Sequence, residues 1–249
     1  MSGISYRLSD SGRIALEAKD RSIPSDYRTI LWVMEFQGFN QLSRIPLLDR
    51  QVLSDCLAEM EELGLVRRVT NPNGETGAAP GAPPPPIYAV SPDDSVIART
   101  SLSRHGAYLS DERLKSRRTA AKAPSETTIL VVEDDPDQLA LADLRVSMAG
   151  YAVRVANSQA ALLLSLARDG APDLILLDAL LPDGNGFEIL SKLRRLRSFE
   201  SLPIVMLTAK TDPDDIMRGL TLGAHGYITK PYSKKILADA IHRVLQEGL

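Results

Sequence analysis

The chain has 249 residues, 44% of them hydrophobic and 24% charged, with a formal net charge of −3. That is room for two ordinary domains of normal soluble composition, with no apolar run near the roughly 20 residues of a membrane span and no global basic field to attract nucleic acid. The single cysteine, Cys56, excludes an internal disulfide and a cysteine metal cluster, and is read as a small buried apolar residue.

Residues Met1 to Arg7 lack the apolar core of a signal peptide, so a cytoplasmic protein without a membrane partner is expected. Ser25–Gln37 carries Ile30, Leu31, Val33, Met34 and Phe36 in helical array, and Gly38 interrupts it. Ser43–Leu48 reads as a short second helix. Asp49–Leu63 reads as a third, with Asp49 as cap, Val52, Leu53, Cys56, Leu57 and Met60 on one face, and Gly64 as stop. Leu65–Thr70 and Ile87–Val90 read as two strands joined by the proline-rich stretch 71–86. Three helices followed by a hairpin resemble a winged helix-turn-helix. Leu63-Gly-Leu-Val-Arg-Arg is similar to its junction between third helix and wing. Two Leu-Ser-x-x-Gly phrases, at Leu8–Gly12 and Leu102–Gly106, resemble the point where a strand enters a flanking helix in such proteins.

That resemblance implies DNA contacts from Arg50, Gln51 and Ser54 in a major groove and from Arg67 and Arg68 to phosphates. Against it stand Asp55, Glu59, Glu61 and Glu62 on the same helix, which repel phosphate, and a balance of 16 Lys/Arg to 15 Asp/Glu over residues 1–125. The alternative is a module that binds protein. Residues 113–126 are basic, then small and polar, and read as a linker. The division expected is therefore 1–112 for a mainly helical winged-helix-like domain, 113–126 for the linker, and 127–249 for the second domain.

From Thr127 the pattern alternates. Ile129–Val132, Ala152–Ala156, Leu174–Leu177, Pro203–Leu207 and Tyr227–Thr229 read as strands. Leu139–Ala149, Ala160–Ala167, Phe187–Leu196, Asp214–Leu222 and Ser233–Leu245 read as helices. Five βα units with right-handed crossovers make an α/β fold, a five-stranded doubly wound parallel sheet. Strands end at Glu133-Asp134, Asp178 and Thr208, and a fourth runs into Lys230-Pro231. In a parallel sheet these side chains meet at one edge. Carboxylates crowded there call for a hard cation such as Mg²⁺, while Lys230 and Thr208 suit an anion beside Asp178. That constellation makes Asp178 a phosphoryl acceptor.

Val131-Val-Glu-Asp134-Asp-Pro, Asp178-Ala-Leu-Leu-Pro-Asp-Gly-Asn-Gly186, Leu207-Thr-Ala209 and Gly226-Tyr-Ile-Thr-Lys230-Pro231 resemble the receiver domain of two-component response regulators, which is flavodoxin-like. The resemblance implies that Asp178 is the phosphoacceptor. It implies that Glu133, Asp134, Asp178 and the Leu180 carbonyl bind Mg²⁺, that Thr208 and Lys230 contact the phosphoryl oxygens, and that Tyr227 follows Thr208 as a switch. A histidine kinase or phosphotransfer protein would be the donor, and a phosphorylation-dependent homodimer is a further partner of this kind. Asp135 is read as a helix cap rather than a ligand, and His225 and His242 as surface residues.

Leu180 and Lys210 follow Asp178 and Thr208 by two residues, at positions that flank the path of hydrolytic water in the family. Leu180 neither orients nor activates a water, so slow autodephosphorylation is expected; loss of most acyl phosphate within seconds would overturn this. The whole is read as a response regulator of inverted order and not as an enzyme, since the N-terminal half has no nucleophile–base pair. Its output is transcription regulation through DNA, with a protein-binding adaptor as the alternative. The readout face is expected on Asp214–Leu222 and Ser233–Leu245, coupled through residues 113–126.

Overall fold

The structure is a computed structural model, which describes residues 4–17, 23–37, 50–70, 88–115, 122–209 and 212–246. It divides into two compact units. One is Met1–Pro83 with Leu163–Gly170, and the other is Pro84–Leu162 with Ala171–Leu249. The break at Pro83 comes earlier in the chain than the expected end of the first domain at residue 112. The reason is that residues 107–109 pair into the second unit's sheet and carry the helices on either side of them into that unit.

In the first unit, β1 (Ile4–Leu8) runs into α1 (Asp10–Glu17), followed by α2 (Ser25–Gln37), α3 (Arg50–Glu62) and β2 (Val66–Thr70). Ile30, Leu31, Val33 and Met34 of α2 are buried as expected, as are Leu57 and Met60 of α3, but Val52 is 47% exposed and Leu53 only half-buried, so the expected apolar face of α3 holds only toward its C-terminal end. Cys56 is only half-buried. β2 does not form the expected hairpin with residues 87–90. It pairs antiparallel with β1, from Ile4 opposite Thr70 to Leu8 opposite Val66, and residues 88–90 form no strand. Ser9 bonds back to Leu65 and Gly64 and fixes the start of α1 beside the start of β2. The expected helix at 43–48, Asp49, Ile87 and the loop 71–86 lie outside the described residues.

The second unit begins with α4 (Pro92–His105), β3 (Ala107–Leu109) and α5 (Asp111–Lys115). Ser91 and Asp94 form a reciprocal capping box at the start of α4, and Gly106 ends it in the left-handed conformation, φ 73°. The second Leu-Ser-x-x-Gly phrase thus carries a helix into a strand, the reverse of the expected order. A short 3-10 turn at Pro124–Glu126 leads into β4 (Thr128–Val132), α6 (Pro136–Ser147), β5 (Ala152–Ala156), α7 (Gln159–Asp169) and β6 (Leu174–Asp178). A small ribbon of β7 (Leu180–Leu181) and β8 (Gly184–Asn185) follows. The chain continues through α8 (Gly186–Arg195), β9 (Ile204–Thr208), α9 (Pro213–Leu222), β10 (Gly226–Thr229) and α10 (Lys234–Gln246).

The strand order is β3-β10-β9-β6-β4-β5. The five expected parallel strands are present, and β3 adds a sixth on the β10 edge, antiparallel. Every residue of β6 and β9 is buried, as continuous apolar runs require when helices cover both faces. The order reverses direction at β4, which neighbours β5 on one side and β6 on the other. The crevice outside the carboxyl ends of β4 and β6 is therefore the ligand position of a doubly wound sheet.

Candidate functional site

Each polar residue of the crevice is delivered by the end of a buried strand. Asp178 closes β6 and Thr208 closes β9. Glu133 and Asp134 follow β4, and Lys230 follows β10. The strand registers place Asp178 beside Leu207 and Thr229 beside Thr208. The amide of Lys230 donates to the Thr208 carbonyl at 2.8 Å, which fixes the height of the lysine over the sheet edge.

Lys230 Nζ lies 2.6 Å from Asp178 Oδ2 and 2.5 Å from Glu133 Oε2. The Leu180 amide donates to Asp178 Oδ1 at 3.1 Å. Glu133 is 1% exposed and Asp178 7%, while Asp134 stands at the mouth, exposed. Carboxylate oxygens of all three acids lie within 4.8 Å of one another. Burial, and then the charge of Asp178, raises the Glu133 carboxyl above its ordinary value although Lys230 pulls it down. For Lys230 burial works against the charge, but the two carboxylates outweigh it and hold the ammonium above its usual value.

A divalent cation fits this donor set. Among the described residues Glu133 Oε1 is buried without a hydrogen-bond donor, and one lysine balances only one of the three carboxylates. All-oxygen donors beside solvent suit Mg²⁺. Asp135 is where the sequence puts it, outside this set. It caps α6 by accepting from the amides of Asp137 and Gln138, which lowers its carboxyl.

The loop after Asp178 is fixed at both ends by residues that the sequence reading left without a role. Asp183 accepts from the amides of Gln159 and Ala160 at the start of α7. Asn185 caps α8 through the amide of Phe187. Gly186 is required by space: a Cβ there would sit 2.2 Å from the Asp178 carbonyl oxygen. Asn185, two residues before Phe187, was a visible cap candidate, but Asp183 caps a helix whose start lies 24 residues earlier, which no local pattern signals.

Tyr227 is 1% exposed, and its hydroxyl donates to the carbonyls of Asp215 (3.1 Å) and Ile216 (3.2 Å) in the first turn of α9. Burial and the nearby Asp215 push the phenol far above its ordinary value. Gly219 leaves it room, since a Cβ there would lie 1.7 Å from the hydroxyl. His225 is buried at 5%, not on the surface as expected. Its Nδ1 lies 3.3 Å from Arg194 Nη2, and Arg194, itself buried, donates to the carbonyls of Gly223 and Phe199. His242 is exposed.

In the first unit Gln51, Ser54, Arg67 and Arg68 are exposed. Gln51 bonds Asp55 at 3.0 Å, and Arg68 bonds the Tyr6 hydroxyl at 3.0 Å and pairs with Glu61 at 3.2 Å. Arg50 begins α3, but its side chain lies outside the described part, as does Lys210.

A doubly wound sheet with carboxylates and a lysine gathered at its switch point defines a class of α/β domain with room for a cation and an anion at one edge. Residues 129–242 match the sequence model of the response regulator receiver domain, and this part of the chain is a receiver domain of the response regulator family. The chain is 39% identical over 120 residues to the phosphate regulon transcriptional regulatory protein PhoB of Pseudomonas aeruginosa, covering 48% of this chain and 52% of that protein. It is 38% identical over 121 residues to the transcriptional regulatory protein AfsQ1 of Streptomyces coelicolor, covering 49% and 52%. Among solved structures, the chemotaxis response regulator CheY4 of Vibrio cholerae is similar over 48% of this chain and 98% of its own, at 29% identity and a TM-score of 0.45. The chain spans about half the length of the curated relatives it matches. No helix among the described residues is long and apolar enough to cross a membrane.

Proposed function

We propose that this protein is a response regulator switched by phosphorylation of Asp178. The observation that carries the reading is the clamp of Lys230 on Asp178 and Glu133 at the sheet edge, with Asp134 at its mouth. Asp178 Oδ attacks the phosphorus of a phosphohistidine on a kinase or phosphotransfer protein. The P–O bond forms as the P–N bond breaks, and the imidazole leaves with the electron pair. The Leu180 amide holds the carboxylate in one orientation, which spares the step a rotational search. Lys230 then pairs with the new phosphoryl oxygens, and the Thr208 hydroxyl donates to another. Glu133, Asp134, Asp178 and the Leu180 carbonyl would hold Mg²⁺, which would supply positive charge beside the transferring group. Leu141 and Leu144 on α6, the helix that starts beside the crevice, and Met148 at its C-cap form an exposed apolar stripe and offer the donor protein a docking face.

The first unit is the output. Transcription regulation through DNA would use Arg50, Gln51 and Ser54 on α3 and Arg67 and Arg68 on β2. A specific observation favours the second reading, a protein-binding adaptor. Gln51 and Arg68 are engaged by Asp55, Tyr6 and Glu61, and the exposed side of α3 carries Asp55, Glu59 and Glu62.

Enrichment of genomic fragments by the full chain, with and without beryllofluoride and Mg²⁺, decides between them. Selective enrichment that grows with the mimic supports the DNA regulator. No enrichment in either state, with Asp178 labelling normally, moves the output to protein binding. Failure of Asp178 to label sinks the switch itself.

A further inference from the structure

Resting on that reading of Asp178, we propose that residues 88–115 read the receiver's state from within the same chain. The face formed by α9, β10 and α10 is thereby occupied by this segment before phosphorylation, which loosens it.

The segment is built onto the face at several points. β3 extends the sheet by pairing Tyr108 with Tyr227, Leu109 with Gly226 and Ala107 with Ile228. The Gly106 carbonyl accepts from both the amide (2.9 Å) and the hydroxyl (3.1 Å) of Thr229, and the Ser110 amide donates to the His225 carbonyl at 2.9 Å. Gly106 allows this approach twice over: it holds a positive φ, and a Cβ would lie 3.0 Å from Ile236 of α10. Leu102, Leu109 and Leu114 are buried. A sheet edge exposes unpaired amides and carbonyls that template pairing with another chain. Here β3 takes that edge of β10.

The same segment grips the far end of α9. Arg113 donates to the Leu220 carbonyl at 2.6 Å, its guanidinium stacks 4.0 Å from the Tyr88 ring centroid, and the Tyr88 amide donates to the Thr221 carbonyl at 3.1 Å. Arg243 of α10 pairs with Asp111 at 3.0 Å.

These anchors meet the switch at both ends of one helix. Tyr227 is tied by its hydroxyl to the first turn of α9 and by its backbone to Tyr108, while α9's last carbonyls hold Arg113 and Tyr88. Thr208 lies opposite Thr229 in the neighbouring strand. When the Thr208 hydroxyl turns toward a phosphoryl group, Tyr227 and α9 shift together, because the tyrosine hydroxyl is bonded to the Asp215 and Ile216 carbonyls of that helix. The carbonyls under Arg113 and Tyr88 then move out of register and the segment loosens. Residues 88–115 lie in sequence directly after the first unit, so their release is passed along the chain to the output.

Hydrogen–deuterium exchange on the full-length protein, with and without beryllofluoride and Mg²⁺, tests this. Amides of 107–114 are expected to exchange roughly tenfold faster with the mimic. Arg113→Ala should give the faster exchange without the mimic and little further change with it, while Tyr227→Phe should blunt the response. Labelling of Asp178 is followed in parallel. Unchanged or slower exchange at 107–114 in protein that labels normally overturns the proposal and leaves the phosphoacceptor reading standing. Absence of labelling overturns both.

Discussion

Asp178→Asn is expected to remove phosphoryl labelling and to leave the fold intact. Asparagine has the same shape, and its carbonyl oxygen still accepts from the Leu180 amide that now meets Asp178 Oδ1. What it lacks is the anionic oxygen that attacks phosphorus in the proposed transfer. Labelling by acetyl phosphate with Mg²⁺ should fall by roughly a hundredfold or more, the scale of loss when a nucleophile is removed. Stability should change little. The variant loses the ion pair to Lys230 but also removes one of three crowded carboxylates, and Lys230 keeps Glu133 as partner at 2.5 Å. Intact-mass analysis reads the first expectation and circular dichroism the second. Equal labelling of both proteins would mean that another residue is the acceptor.

Lys230→Met has the second large effect, and it depends on pH. The ammonium is the cation bonded to both Glu133 and Asp178. Without it Glu133 keeps the burial and the Asp178 charge that already raise its carboxyl, and loses the group that opposed them, so its pKa climbs further. A carboxyl raised in the folded state prefers its proton there. The penalty is therefore absent in acid, below the ordinary glutamate value, and grows as pH rises through the folded value. At neutral pH the variant should lose on the order of 1–3 kcal/mol, toward the lower end because the crevice opens to solvent. In mildly acidic buffer the difference should shrink. The lysine's own raised value runs the other way: the stability it brings is present below its ordinary value and is lost as alkaline pH passes the folded one. Urea unfolding in mildly acidic and in neutral buffer measures the trend, and added Mg²⁺ should recover part of the loss. A variant equally destabilised in acid would show that Lys230 acts through packing instead.

The receiver half was readable because its signals are local. Buried parallel strands are unbroken apolar runs, as Leu174–Leu177 and Ile204–Leu207 are, and each polar residue at a strand's end then falls on one edge by topology alone. Contacts between distant parts of the chain were not readable. Nothing in Ala107-Tyr-Leu109 distinguishes a strand that joins β10 from one that closes a wing, and the basic run after it drew the boundary too late. β2 was recognised as a strand but given the wrong neighbour, since Ile4–Leu8 lies 62 residues from Val66–Thr70 and the proline loop looked like a turn. His225 looked like a surface residue because one histidine between glycines in a helix-to-strand turn carries no sign of Arg194.

The Asp183–Gly186 loop bears on how this protein tolerates change. Its four residues begin α7, pack against Gln159, begin α8 and touch the Asp178 carbonyl. Inserting or deleting one residue would uncap two helices and tilt the acceptor in a single step. Length variation can accumulate in the stretch 71–86, whose composition builds no core, but this turn admits substitution only one side chain at a time.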